Sequence, residues 1–152
     1  MSLRDKISSE LKTAMKARDA TRLATLRLIN AAIKDREIAA RGEQNVTELS
    51  DSDLVAVLTR MVKQRRDSAR AYEEAARLDL AEKETAEIAV IESFLPRQLS
   101  DDEMTAAIDT VIAELGASSV RDIGAVMGAL KTRYAGQMDF GKAGAGVKAR
   151  LA

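Results

Sequence analysis

Apolar residues in this chain recur every three or four positions, and a single proline, Pro96, interrupts 152 residues. That rhythm is the spacing of one face of an α-helix. Alternating runs of β-branched residues, the mark of half-buried strands, are absent. Aromatics make up 3% of the chain although apolar residues make up 46%. The core must therefore be built from Leu, Ile, Val, Met and Ala. Alanine loses no side-chain entropy on entering a helix. The expected fold class is all-α.

Seven helices are expected. The first runs from Leu3 to about Arg18, with Ser2 and Asp5 at capping-box spacing and Leu3, Ile7, Leu11 and Ala14 on one face. The second runs from about Ala20 to Arg41 on a seam of Leu26, Ile29 and Ile33, with Gly42 as its stop and a polar loop from Glu43 to Leu49. The third begins after Ser50, with Asp53 in the box position, and reaches about Ala76; Leu54, Leu58, Met61, Ala69 and Tyr72 form its stripe. The fourth covers about Leu80 to Phe94, anchored by Ile88, Ile91 and Leu95, and Pro96 ends it. Pro96 is also the expected boundary between a domain over 1–96 and a smaller one over 97–152.

In the smaller domain Ser100 and Glu103 form a capping box ahead of Met104, Ile108, Val111, Ile112 and Leu115. Gly116 stops that helix. Ser119 caps the next, in which Ile123, Val126, Met127, Leu130 and Tyr134 share a face, and Gly136 closes it. Asp139 caps a last helix carrying Val147 and Leu151. Gly141, Gly144 and Gly146 lie inside it, each costing about 0.5–1 kcal/mol against alanine. It is expected to fray unless packing holds it. Three helices in about 50 residues are marginal alone.

The chemistry available is narrow. The chain has no histidine and no cysteine, so disulfides, thiolate catalysis and zinc or copper sites are not expected. Asp101-Asp102-Glu103 is the densest acidic cluster, but acids in a first helical turn complement the helix dipole. Ser8-Ser9 and Ser118-Ser119 lack the setting of an activated nucleophile. Gly141, Gly144 and Gly146 do not have phosphate-loop spacing, and no strand precedes them. Neither a catalytic residue, a metal nor a cofactor is expected. Met1 to Lys6 contains no apolar run of a signal peptide, and no stretch approaches the roughly 18 apolar residues of a membrane span. The expected location on these grounds is the cytoplasm, with no membrane partner.

Charge placement is more informative. Lysine plus arginine and aspartate plus glutamate both number 24, so no global field draws the chain to a polyanion. Locally, Lys63, Arg66, Arg70 and Arg77 share the side of the third helix opposite its apolar stripe, with Asp67, Glu73 and Glu74 near enough to neutralise them. Arg65 falls inside that stripe and needs a carboxylate, Glu87 or Glu92. The C-terminal part is polarised. From Ser119 to Ala152 six bases face two acids, and Lys131, Arg133, Lys142, Lys148 and Arg150 are the candidate phosphate contacts. Gly124 and Gly128 are four apart beside an apolar face, where small residues let another helix approach.

Several segments resemble the YqeY family of small bacterial proteins. They are Lys63-Gln64-Arg65-Arg66-Asp67-Ser68, Tyr72-Glu73, Ala76-Arg77-Leu78-Asp79-Leu80, and Glu92-Ser93-Phe94-Leu95-Pro96-Arg97-Gln98-Leu99-Ser100. The match continues through Gly116-Ala117-Ser118-Ser119, Asp122-Ile123-Gly124-Ala125-Val126-Met127 and Leu130-Lys131. The resemblance implies a helical N-terminal domain of about four helices and a three-helix domain similar to the tail of GatB. GatB is a subunit of the tRNA-dependent amidotransferase, whose tail grips tRNA while chemistry happens elsewhere. Gly124, Val126, Met127, Leu130 and Lys131 match the packing motif of that tail, and Gly136 and Asp139 match the turn before its last helix. The glycines of the last helix depart from the pattern. The family label is a carbon–nitrogen ligase with glutamine as amide donor. The expected function is an accessory module contacting tRNA or a tRNA-handling complex. A protein–protein adaptor is the alternative, and the ligase of the family label a further one.

Overall fold

The computed structural model describes residues 2–44 and 48–152. These residues form seven α-helices and one short 3-10 turn, with no strand among them. The chain divides into two compact units, Met1–Pro96 and Arg97–Ala152.

The first unit holds α1 (Leu3–Ala17), α2 (Ala20–Gln44), α3 (Asp51–Glu74) and α4 (Leu78–Glu92). The seam residues Leu26, Ile29, Leu54, Leu58 and Ile91 are fully buried, and Leu3, Leu11 and Ile88 pack around them. Each large apolar side chain removed from water contributes about 1.5–3 kcal/mol. The most extensive helix pair is α3 with α4. Ser50 and Asp53 make the full reciprocal capping box at the start of α3. At α1, Ser2 accepts the Asp5 N–H at 3.1 Å.

In the first unit the boundaries of α2 and α4 differ from the sequence expectation. Gly42 does not stop α2, which continues through it to Gln44. Glycine ends a helix only where the chain turns left-handed, and Gly42 keeps helical geometry. The expected polar loop thus begins inside the helix, and its residues 45–47 lie outside the described residues. Finally, α4 starts at Leu78 and ends at Glu92 rather than spanning Leu80 to Phe94, and irregular turns carry the chain on to Pro96.

The second unit comprises α5 (Asp101–Leu115), a 3-10 turn (Val120–Asp122), α6 (Ile123–Arg133) and α7 (Phe140–Leu151). Its core is Ile108, Val111, Val126, Leu130, Ala143 and Val147. The Ser100–Glu103 box is reciprocal, and Gly116 ends α5 in a left-handed conformation. Asp139 caps α7, accepting the N–H groups of Gly141 and Lys142. Leu115 departs from its expected place in the core and is 47% exposed, because the chain reverses immediately after it. Ser119 caps the 3-10 turn that leads into α6 rather than α6 itself. Far from fraying, α7 is a continuous helix. A Cβ on Gly146 would stand 3.1 Å from Ile108 Cδ1, and one on Gly144 would stand 3.7 Å from Met127 Cε. Both glycines lie against neighbouring side chains, so tertiary packing offsets their weak helix propensity.

Candidate nucleic-acid interface

The basic residues of the second unit fall into two groups. Arg133 on α6 pairs with Glu114 at 2.5 Å. On α7, Lys142 pairs with Asp101 at 2.7 Å, and Arg150 pairs with Asp109. All three carboxylates belong to α5. Lys131 and Lys148 are exposed and pair with no carboxylate among the described residues, and the same holds for Arg121 in the 3-10 turn. Every member of the three pairs is 33–79% exposed, so solvent screens each to about 0–1 kcal/mol. The charge asymmetry along the sequence is thus largely neutralised in space.

Gly124, Gly128 and Lys131 are spaced i, i+4, i+7 and share one side of α6. Gly124, Ala125, Gly128, Lys131 and Thr132 are all exposed. A Cβ at Gly124 or Gly128 would meet nothing within 4 Å. The expected helix contact is not made among the described residues. Instead α6 presents an outward strip of bare backbone with a lysine at its end and Arg121 just ahead of it.

The second candidate group, Lys63, Arg66 and Arg70 on α3 with Arg77 beyond its end at the start of α4, is mostly paired. Lys63 reaches Asp67 at 3.3 Å, Arg66 reaches Glu92 at 2.8 Å and Arg77 reaches Asp79 at 3.2 Å. Arg70 is exposed and has no ion pair among the described residues. The hydrogen bond from Arg77 holds the Asp79 carboxyl below its ordinary range. Arg65 finds Glu87 at 3.0 Å, with both side chains 13–15% exposed, and Glu92 goes to Arg66. This pair is structural, tying α3 to α4.

Two features had no signal in the sequence. The α5 carboxylates were legible only as dipole complements or solvated acids, since their partners lie 41 residues away for Asp101 and Asp109. An open groove of about 770 Å³ between α2 and α3 is lined by residues that include Ala32, Asp35, Ala39, Ala56, Arg60 and Met61. No group of three or more acidic side chains among the described residues could hold a metal ion, and no described helix is long and apolar enough to cross a membrane.

Seven helices in two units, with charge confined to their outer faces and to cross-helix pairs, define an all-α helical protein. Comparison with known families narrows this further: the chain belongs to the family described as Yqey-like protein, whose model matches residues 4–151. Similar curated proteins are named "Altered inheritance of mitochondria protein 41, mitochondrial". The one from Lachancea thermotolerans is 31% identical over 115 residues, covering 74% of this chain and 59% of its own length. That from Candida glabrata is 37% identical over 89 residues, covering 59% and 47%. That from Clavispora lusitaniae is 36% identical over 120 residues, covering 77% and 67%. The chain thus spans about half to two thirds of the length of these relatives.

These names overturn the cytoplasmic expectation, because the relatives are mitochondrial by name. The physical grounds for it were too weak to discriminate. A chain without cysteine or a long apolar run is as compatible with an organelle interior as with cytoplasm. The relatives are also yeast proteins, so the family is not confined to bacteria.

Proposed function

We propose that this chain is an accessory module of tRNA handling, in which the second unit holds the sugar–phosphate backbone of a folded RNA and other proteins make the bonds. The observation that carries this reading is the outward face of α6. Gly124 and Gly128 leave backbone uncovered there, with Lys131 on the same side and Arg121 one turn ahead. Phosphate contacts position an RNA without reading its bases, and they need cations free of carboxylates together with room for close approach. The likeness of Gly124, Val126, Met127, Leu130 and Lys131 to the tail of GatB supports the same reading. With three free cations, Arg121, Lys131 and Lys148, binding of bulk tRNA should weaken with salt at a log–log slope of about −2 to −3. The double variant R121E/K131E should lose at least about tenfold in affinity. Absence of tRNA binding by the wild type at low salt sinks the reading.

A second reading, a protein–protein adaptor, is favoured by Leu115 and Val120. These two apolar side chains on either side of the Gly116 reversal are 47% and 54% exposed. A partner retained after nuclease treatment, and lost on L115E/V120E, would favour it. Ammonia released from glutamine by the purified chain would replace both readings with the ligase of the family label.

A further inference from the structure

We infer that α5 carries its own polyanion, three carboxylates that occupy Arg133, Lys142 and Arg150, and that displacing them frees further phosphate contacts on the same unit. The inference rests on the reading above and adds its regulation. Asp101 and Asp109 meet Lys142 and Arg150 with the same sequence offset of 41 residues, so these are two rungs of one ladder between α5 and α7. The rungs are eight residues, about 12 Å, apart along each helix. Between them Gly146 faces Ile108, and its missing side chain lets the helices come close enough for short acidic side chains to reach. Arg150 also donates to the Gly146 carbonyl at 3.2 Å, which holds its guanidinium across its own helix. Glu114 closes on Arg133 at the far end of α5.

Charge balance makes the arrangement consequential. Residues 97–152 carry seven bases and seven acids, so the net +4 of the Ser119–Ala152 stretch is cancelled by the α5 side of the unit. The pairs are exposed, and phosphate groups compete with carboxylates for the same bidentate and point-charge contacts. A polyanion already held by free cations of the same unit is at high local concentration for these pairs, so exchange of carboxylate for phosphate becomes intramolecular. Asp102 supplies an internal control. It stands in the same helical turn as Asp101, is exposed, and pairs with no cation among the described residues.

The test compares bulk tRNA binding by the wild type, D101N/D109N/E114Q and D102N at two salt concentrations. The triple variant should bind at least about tenfold more tightly, with a slope steeper by about 2–3, one for each freed cation. D102N should stay within about twofold of wild type. Adding R133Q/K142Q/R150Q to the triple variant should return affinity to the wild-type level. Circular dichroism checks that each variant is folded, and the single variant D109N, judged against D102N, decides the matter if the triple variant is not. A triple variant that binds no more tightly than wild type, or not at all at low salt, overturns the inference. So does a D102N gain equal to that of D109N, which would reduce the effect to net charge. Failure of the earlier reading looks different: R121E/K131E would leave wild-type binding unchanged while the gain of the triple variant stands.

Discussion

Among the described residues, three helices end on the same hydrogen-bonding pattern, not all with the same residue at the left-handed position. After α1, Arg18 has φ +53°, its N–H goes to the Met15 carbonyl, and the Asp19 N–H goes to Ala14. After α3, Ala76 has φ +57°, with its N–H on Glu73 and the Arg77 N–H on Tyr72. After α5, Gly116 has φ +63°, with its N–H on Ala113 and the Ala117 N–H on Ile112. Each is a Schellman closure, which satisfies carbonyls that the helix leaves open. Only glycine enters this region without a Cβ clash, which costs other residues roughly 1–2 kcal/mol. Part of that gain is lost because glycine also gives the unfolded chain more freedom. R18G and A76G should therefore each raise unfolding stability by about 0.5–1 kcal/mol, and G116A should lower it by about 1 kcal/mol. Urea unfolding of the three single variants measures this. A destabilised A76G would show that the left-handed residue is not what limits that helix end. All three helix ends were placed within two residues by the sequence, at about Arg18, about Ala76 and Gly116, but only Gly116 marked the left-handed turn itself. Gly116 announces the motif, whereas Arg18 and Ala76 are ordinary helix formers whose turn is imposed by what packs beyond it.

At the scale of the element, α5 is the helix best specified by its own sequence, and its N-terminus is coupled to pH. Ser100 Oγ accepts the Glu103 N–H at 3.2 Å, and the Glu103 carboxylate accepts the Ser100 N–H at 3.0 Å. Arg97 then clasps that carboxylate with two hydrogen bonds of 2.7 and 2.9 Å. The Arg97 bonds, followed by the Ser100 N–H, pull the Glu103 carboxyl down to about 2. A carboxyl depressed in the folded state stabilises above its unfolded value of about 4.5, and that contribution is lost as pH falls through the window toward 2. E103Q keeps the hydrogen-bonding shape and removes the charge. Its melting temperature should lie below wild type at pH 7, and the gap should close as pH drops from about 5 to 2. A gap that stays constant across that range would show that the charge is not linked to folding. Capping box, apolar stripe and terminal glycine made α5 readable end to end. The ion pairs on its flanks were not readable. Nothing local to Asp101 or Asp109 distinguishes a carboxylate that faces water from one that meets a cation on a helix 41 residues on. The same blindness applied to α2, where Gly42 looked like a stop and is not one. A glycine in sequence reports permission to turn, and the chain beyond it decides whether the turn is taken.

At the scale of the whole molecule, the described residues form two buried apolar clusters that share no member. Ile7, Leu26, Ile29, Leu54, Leu58 and Ile91 belong to one, and Ile108, Val111, Val126, Leu130 and Val147 to the other. Each set is closed by helices of its own unit, and the apolar spacing in the sequence identified nearly all of these residues before any contact was known. Their partition between two cores follows from which stripes face one another, and Pro96 was the only local mark of it. Two separate cores make a definite demand on how a lesion spreads. Ile91 and Leu130 are both fully buried. Truncating either to alanine removes the transfer energy of the lost methylenes and leaves a cavity, together about 2–5 kcal/mol. I91A should therefore speed backbone hydrogen exchange in α1 to α4, and L130A should do so in α5 to α7, each leaving the other unit's protection at its wild-type level. Hydrogen-exchange mass spectrometry on the full chain reads both at once. If L130A exposed α2 and α3 as strongly as α6, the two cores would be one cooperative structure, and stability could not be assigned to the units separately. If the lesions stay apart, the second unit can lose or gain charge on α5 without disturbing the first, as any regulated grip on a polyanion by that unit requires.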